Sequence, residues 1–463
     1  HDDDWSILEH VRTRAPYVNG AIDAAEMPSY PGLSARTLAV GVVVLAAGVM
    51  YAVPRVLYYA DVVRALKGSA AFYAARIDGA QPDAPFSAFG GKVWTSHREV
   101  KARQLAFSED IASGEVRRTN SLGIFRLADS MFTFRPKIAL SMDDVEHSVV
   151  RPWVDRVTWG PAQVWNEDDV AADARAYLSD HRTITGVKSS LGKAVIHILH
   201  RRVLGLGDAH TWNDTEAFVA YQGNMLLHSV LPDALNSMSW SESVRAEQRR
   251  WLARYAAQQD SDADGGPSKE WKAWTWLTAF TFAGGLGTPT LLHAALAVLC
   301  NGDAGADFVL SDVNVDRFIM ETSRLYPPVP EIMYERRDAA SGTYHPEVIV
   351  PGYAARDTAA WGDDAAEFKL RPLSEYHRKL AAFGEWSGMG ARAPAPEGAE
   401  RPGGVDLASQ SRGCPGKHFT FVIIRAFLKE LGTPDALKAR CPSARIAPQS
   451  PWGFADFNLG RAA

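Results

Sequence analysis

The chain reads as a mainly α protein with a small β portion, an α+β domain. Three observations predict this. From about residue 143 onward, helical periodicity recurs in segment after segment. One of these segments, Trp271 to Leu299, is apolar almost all round, as expected of a helix through the centre of a domain. Short apolar runs broken by turn residues occupy 85–140 and 329–372, the pattern of short strands.

Taken in order, residues 1–36 form a polar extension that lacks a signal-peptide pattern; the start at His1 suggests a processed or truncated product. Thr37 to Pro54 (TLAVGVVVLAAGVMYAVP) is uncharged between Arg36 and Arg55. About 18 residues at 1.5 Å each reach roughly 27 Å, near the hydrocarbon thickness of a bilayer. A transmembrane helix is therefore expected over 37–60, with a buried core helix as the alternative. Tyr51, Tyr58 and Tyr59 suit an aromatic belt. Arg55, Arg64 and Lys67 follow, which puts the large domain on the cytoplasmic or stromal side.

Residues 61–463 make the main domain. It opens with an amphipathic helix over 61–80, with Val62, Val63, Leu66 and Phe72 on the apolar side. Residues 85–140 read as a small sheet with turns at Gly90-Gly91 and Thr119-Asn120. Helices are expected over Asp143–Val157, Asp168–Asp180, Ser189–Leu204, Thr215–Val230 and Ser241–Gln259, before a breaker cluster from Asp260 to Ser268. The central helix follows. A shorter one, Val315–Leu325, stops at Pro327-Pro328, and a loop rich in Gly, Pro and Ala (Gly388 to Gly404) leads to a last long helix, Phe419–Leu431.

Composition excludes some partners. A net charge of −5 gives no basic footprint for nucleic acid. With 463 residues, 46% hydrophobic and 14 tryptophans, the chain can bury a sizeable core. Its three cysteines, Cys300, Cys414 and Cys441, are far apart, with no visible disulfide framework or metal-ligand spacing. Cys414, the one in a distinctive context, therefore reads as a ligand and not a staple.

That context is Ser411-Arg412-Gly413-Cys414-Pro415-Gly416-Lys417-His418-Phe419. A thiolate at a helix N-terminus sits in the positive end of the backbone dipole. Gly413 and Gly416 carry no Cβ, so a flat macrocycle could approach the backbone closely. Arg412 stands where a guanidinium would meet a propionate. Together these are what a haem held by a cysteine sulfur needs. Upstream, Glu321-Thr322-Ser323-Arg324 sets a carboxylate and a guanidinium on one helical face, followed by Leu325-Tyr326-Pro327-Pro328.

On these motifs the chain resembles a cytochrome P-450, over roughly residues 62–460. The resemblance implies haem b (iron protoporphyrin IX) bound through Cys414, with Glu321 and Arg324 locking the core beneath it. It makes His147 and Arg151, in His147-Ser148-Val149-Val150-Arg151, partners for the propionates, along with Arg336 in Tyr334-Glu335-Arg336. Glu367 to Pro372 is similar to the family's meander.

The central helix then separates chemistries. Oxygen-activating members carry an acid–threonine pair after paired small residues. Here Gly284, Gly285 and Thr288 match, but Gly287 replaces the acid. In another register the helix resembles that of allene oxide synthases and hydroperoxide lyases, with Thr281 in place of their asparagine and Ala283 in place of their phenylalanine. Met333 to Arg336, Ile196 to Gly205 and Cys414 to Phe419 are also similar to that clan.

The expectation is a haem-thiolate isomerase or lyase of fatty acid hydroperoxides. It would cleave the O–O bond homolytically, without dioxygen or reductase, to an allene oxide, epoxyalcohol or aldehyde. Thr281 is then the candidate for steering the hydroperoxide, unless its hydroxyl bonds back to its own helix. The alternatives are a reductase-dependent monooxygenase, supported by Thr288, and a non-catalytic subunit of a larger membrane complex. The short separation between Gly284 and Glu321 and the missing aromatic upstream of Cys414 fit either specialisation or scaffolding. A plastid membrane (thylakoid or envelope) is expected before the endoplasmic reticulum.

Overall fold

In a computed structural model the described residues are 83–88, 91–117, 144–159, 165–230, 238–259, 268–305, 308–383, 413–450 and 453–461. The chain divides into His1–Pro54 and Arg55–Ala463. The expected span at 37–60, the helix over 61–80, Arg412 and the loop from Gly388 to Gly404 lie outside the described residues. Among the described residues no helix is long and apolar enough to cross a membrane.

The small sheet has five strands: β1 (Phe86–Ala88), β2 (Gly91–Trp94), β3 (Val116–Arg117), β4 (Ile332–Arg337) and β5 (Tyr344–Ile349). Their spatial order is β1-β2-β5-β4-β3. All neighbours are antiparallel except β2 and β5, which pair Val93 with Val348 in parallel. Gly91 is required by that pairing, since a Cβ there would lie 1.9 Å from the Pro346 carbonyl oxygen.

Between β2 and β3, where the sequence suggests only strands, stands α1 (His97–Ala112). Its signature is a capping box that the strand reading overlooks. The Ser96 hydroxyl accepts from the Glu99 N–H at 3.4 Å, and Glu99 lies in the first turn.

The helical layer follows the expected order: α2 (Asp144–Trp159), α3 (Glu167–Asp180), α4 (Val187–Ile198), α5 (Trp212–Val230) and α6 (Met238–Ala256). Asn166 caps α3, its side chain accepting from the Asp169 N–H at 2.8 Å. The central helix is composite: α7 (Lys269–Thr275), a wider π-helical stretch (Trp276–Gly284), then α8 (Gly285–Asn301), which ends on left-handed Gly302. Such widened turns recur at functional sites. From Leu291 to Val298 every α8 residue is buried, so this helix is the axis of the core.

Next come α9 (Val315–Leu325), the short α10 (Pro351–Ala354), α11 (Thr358–Trp361) and α12 (Leu373–Lys379), then α13 (Lys417–Glu430) and α14 (Pro434–Arg440). A two-stranded ribbon, β6 (Pro448–Ser450) with β7 (Gly453–Phe454), closes the chain. Among the described residues no helix or strand lies between α8 and α9.

One expectation is corrected. Cys300 and Cys441 form a disulfide, with an S–S distance of 2.03 Å. The fold returns α14 to the end of α8, so cysteines 141 residues apart become neighbours that sequence spacing cannot reveal.

Candidate active site

Glu321 and Arg324 lie on α9 with no exposed surface. Two parallel bonds join them, Arg324 Nη2 to Glu321 Oε1 at 2.6 Å and Nε to Oε2 at 2.9 Å. The helix spacing makes this fork possible. The meander closes on the pair. Arg324 also donates to the carbonyls of Ala355, Ala365 and Glu367. Glu321 accepts from Lys369 N–H at 3.0 Å, Arg371 Nη1 at 2.8 Å and Tyr376 Oη at 2.9 Å. The Trp361 ring lies 4.9 Å from the Arg324 guanidinium. A buried charge pair survives only when its remaining lone pairs and protons are satisfied, and here they are.

Cys414 stands in the turn that opens α13 and is the free cysteine of the described residues. Its N–H donates to the Phe383 carbonyl at 2.9 Å. Phe383 thus lies beside the cysteine turn although the two stand far apart in the sequence. Its ring lies 5.7 Å from the Lys417 ammonium and 6.0 Å from the Phe421 ring. Arg151, buried on α2, donates through Nη1 to the Gly413 carbonyl at 2.7 Å and through Nε to Asp155 at 2.9 Å.

Burial pushes the Cys414 thiol above its ordinary value; the Gly416 and Lys417 N–H groups and the charges of Arg151 and Lys417 pull against it. Burial also lowers Lys417 to about 7, opposed by Cys414 and Asp316. Burial prevails, so the thiol form is favoured as the side chains stand; the donors and cations are the groups that would favour a metal-bound thiolate.

The side facing the central helix differs from expectation. A Cβ on Gly416 would meet Cε1 and Cζ of Phe419 at 2.7 Å, and one on Gly284 would meet the same Cζ at 3.3 Å. The room in front of both glycines holds the Phe419 ring, itself 6.0 Å from Phe280. Gly285 looks the other way, where a Cβ would press on Ile196 at 3.1 Å.

Thr288 is brought to the cysteine helix, its hydroxyl 2.9 Å from that of Thr420. The Thr281 hydroxyl bonds back to the carbonyls of Leu277 at 2.9 Å and Trp276 at 3.1 Å, and its own carbonyl accepts from Gln222. The structure therefore brings together Cys414, Gly413, Gly416, Arg151, Gly284 and Thr288. His147 lies on α2.

Arg336, on β4, pairs with Glu347 Oε2 on β5 at 2.8 Å and with Asp110 Oδ2 on α1 at 2.8 Å. Burial would lower its pKa, but these two carboxylates hold it above its ordinary value. The sequence offers no sign of these ion pairs, because Asp110 lies on the helix read there as strand.

No family model matches the chain, and no curated protein matches it. Solved structures do. P-450 EryK from S. erythraea, in its open form, is 16% identical over 84% of this chain and 95% of its own, with a TM-score of 0.56. P-450 BioI, in complex with hexadec-9Z-enoic acid on an acyl carrier protein, is 12% identical over 86% and 98%, with a TM-score of 0.56. Mycobacterium marinum CYP150A6, substrate-free, is 18% identical over 84% and 94%, with a TM-score of 0.53. On these likenesses this chain has the cytochrome P-450 fold.

Proposed function

We propose that this chain is a haem-thiolate enzyme of the P-450 type. Its substrate, a fatty acid hydroperoxide, brings its own O–O bond, so neither dioxygen nor a reductase is needed. The observation that carries this reading is the pair Gly287-Thr288. Splitting dioxygen requires timed proton delivery. At position 287 there is no acid, and the Thr288 hydroxyl is engaged with Thr420.

The sulfur side fits the cofactor: Cys414 is the ligand, the Gly416 and Lys417 N–H groups and the nearby cations stabilise its charge, and Arg151 fixes the loop through Gly413. His147 and Arg412 are the further candidates for the propionates. Bound haem supplies an electron-rich iron able to split an O–O bond homolytically. The chain's own contribution beyond the cysteine turn is the apolar surroundings of Gly284, Leu199 and Phe419 with Phe280 beyond, which would exclude water and suit an acyl chain. A fatty acyl group is also what the similar P-450 BioI structure holds. The 37–60 segment would anchor the domain to a bilayer, with a plastid membrane as the proposed site.

A non-catalytic role within a membrane complex is favoured by one observation, the inward bonding of Thr281. The test is anaerobic incubation of the haem-loaded full chain with a fatty acid hydroperoxide, without NADPH or reductase. Consumption is the expected result. Turnover only with dioxygen and a reductase would make the chain a monooxygenase. Haem-loaded protein inert in both assays would leave the subunit role.

A further inference from the structure

We propose that His197, His200 and His210 form an acid-released latch. It holds the turn between α4 and α5 closed at neutral pH and frees it, with the rest of the domain folded, when the rings take up protons. The turn, residues 204–211, has hinges of its own: Gly205 and Gly207 both sit in the left-handed region, at φ 71° and 53°. Its backbone bonds are short-range, Leu206 N–H to the His200 carbonyl at 3.1 Å and His210 N–H to the Gly207 carbonyl at 3.2 Å. The rings close it. His210, at the end of the turn, stacks on His200 with ring planes 4° apart. Its Nε2 lies 2.9 Å from the Thr215 hydroxyl in the first turn of α5, which His197 Nδ1 also meets at 2.9 Å.

None of these positions receives a charge well. The His200 Nδ1 must carry a hydrogen, because it faces the Ile196 carbonyl at 2.8 Å. Nε2 is then bare and accepts from the Tyr255 hydroxyl at 2.7 Å, so a proton there would face a donor. His210 Nδ1 is buried and has no partner among the described residues. In the charged ring, which bears a hydrogen on both nitrogens, it would be an unanswered N–H. Two charged rings stacked face to face would also repel. The carboxylates that face the rings are Asp173 on α3 and Asp214 on α5. Both are already claimed, Asp173 by Arg201 at 3.0 Å and Arg202 at 2.6 Å, Asp214 by Arg254 of α6 at 2.8 Å. Arg201 also pairs with Asp208 in the turn, and Arg202 reaches Asp169 at 3.8 Å. On the outer side Trp212 stacks on His197 at 4.0 Å, with the His181 ring 6.3 Å beyond it.

Once hydrated in the open turn, the same rings protonate near 6.5. Below that pH the open form gains up to about ten-fold per pH unit from each ring. α5 also carries Gln222, which donates to the Thr281 carbonyl at 3.0 Å, so the latch restrains a helix that touches the central one. The device needs no haem and is independent of the hydroperoxide reading.

The test is hydrogen–deuterium exchange of the full chain by mass spectrometry from pH 7.5 to pH 4.5, corrected for intrinsic amide rates. Exchange at each histidine C2 gives that ring's own titration. Expected are a rise of about a hundred-fold or more over residues 204–215 between pH 7 and pH 5.5, no comparable rise in α8 or α9, and one steep titration shared by the rings. H210Q keeps an amide for Thr215 but cannot charge, and should reduce the rise by up to about ten-fold per pH unit; H197Q serves if H210Q does not fold. Rings that titrate near 6.5 with the turn unchanged would overturn the latch, and so would rings still neutral at pH 4.5. An equal rise throughout α8 and α9 would mean global unfolding and overturn it too. A folded variant with the wild-type pH dependence would assign the rise to other groups. The wild-type ring titration decides the matter if neither variant folds.

Discussion

Arg324 is fully buried yet charged, and each of its donors is answered. Truncating one partner of a buried pair strands the other, at a cost of about 3–5 kcal/mol. Arg324→Ala should therefore lower the stability of the main domain by that order in urea unfolding, and Glu321→Ala by a similar amount. Arg324→Lys should recover only part, because an ammonium cannot reproduce the fork or reach the Ala365 and Glu367 carbonyls together. Stability within 1 kcal/mol of wild type in Arg324→Ala would mean the lock is not load-sharing. At this scale the sequence is a good guide where roles depend on spacing: Glu321 with Arg324, and Cys414 at a helix start. It is blind to direction. Phe419 is legible as the first apolar residue of the last helix, but nothing in its position says that its ring points at Gly284.

Helix α4 and its neighbours carry a second feature that follows from packing. His200 and His210 stack with ring centroids 4.4 Å apart, and His197 stacks on Trp212 at 4.0 Å. The His200 ring lies 2.7 Å from the Tyr255 hydroxyl, and His197 and His210 each lie 2.9 Å from that of Thr215. Burial is the main cause that lowers them, His197 to about 4, His200 to about 3 and His210 to about 2. Arg201 reinforces the shift at His197; the other two histidines do so at His210.

The folded chain keeps these rings neutral, whereas unfolded histidines protonate near 6.5. Below that pH the unfolded state binds more protons, so stability is fully present above about 6.5 and falls as acid is added. Each histidine adds a slope of up to about 1.4 kcal/mol per pH unit. The urea midpoint should drop clearly between pH 7 and pH 5, and less so in His200→Gln. A midpoint flat over that interval would show the rings protonating without unfolding.

Elements were otherwise well marked in the sequence. α9 has the expected bounds; α4 passes into π-helical turns over Leu199–Val203, the other expected helices differ by a few residues at their ends, and the short α10, α11, α12 and α14 are not anticipated. Two features escaped because competing signals outweighed them. Ser96 and Glu99 cap a helix inside a run of strand-like residues. The π-helical turns over Trp276–Gly284 leave the apolar pattern of the central helix unchanged.

Across the whole molecule, the disulfide between Cys300 and Cys441 joins the end of the axial helix to α14. Closing a loop of 141 residues constrains the unfolded chain most, and removing such a bridge costs on the order of 2–5 kcal/mol. Cys441→Ser, or reduction with a thiol, should lower the unfolding midpoint accordingly; no change would show that the bridge does not form. Disulfides persist in oxidising compartments, which bears on the expectation of a stromal or cytoplasmic domain. Thiol trapping at the moment of lysis would recover the pair oxidised on the opposite side of the membrane and free on the expected side.

The account turns on the bond between Cys414 and iron. Its most direct measurement is the absorption spectrum of the hemin-loaded, reduced full chain under carbon monoxide, wild type beside C414S. Wild type is expected to give the red-shifted band of thiolate ligation and C414S to lose it while staying folded by circular dichroism. Identical spectra in the two proteins would contradict the account.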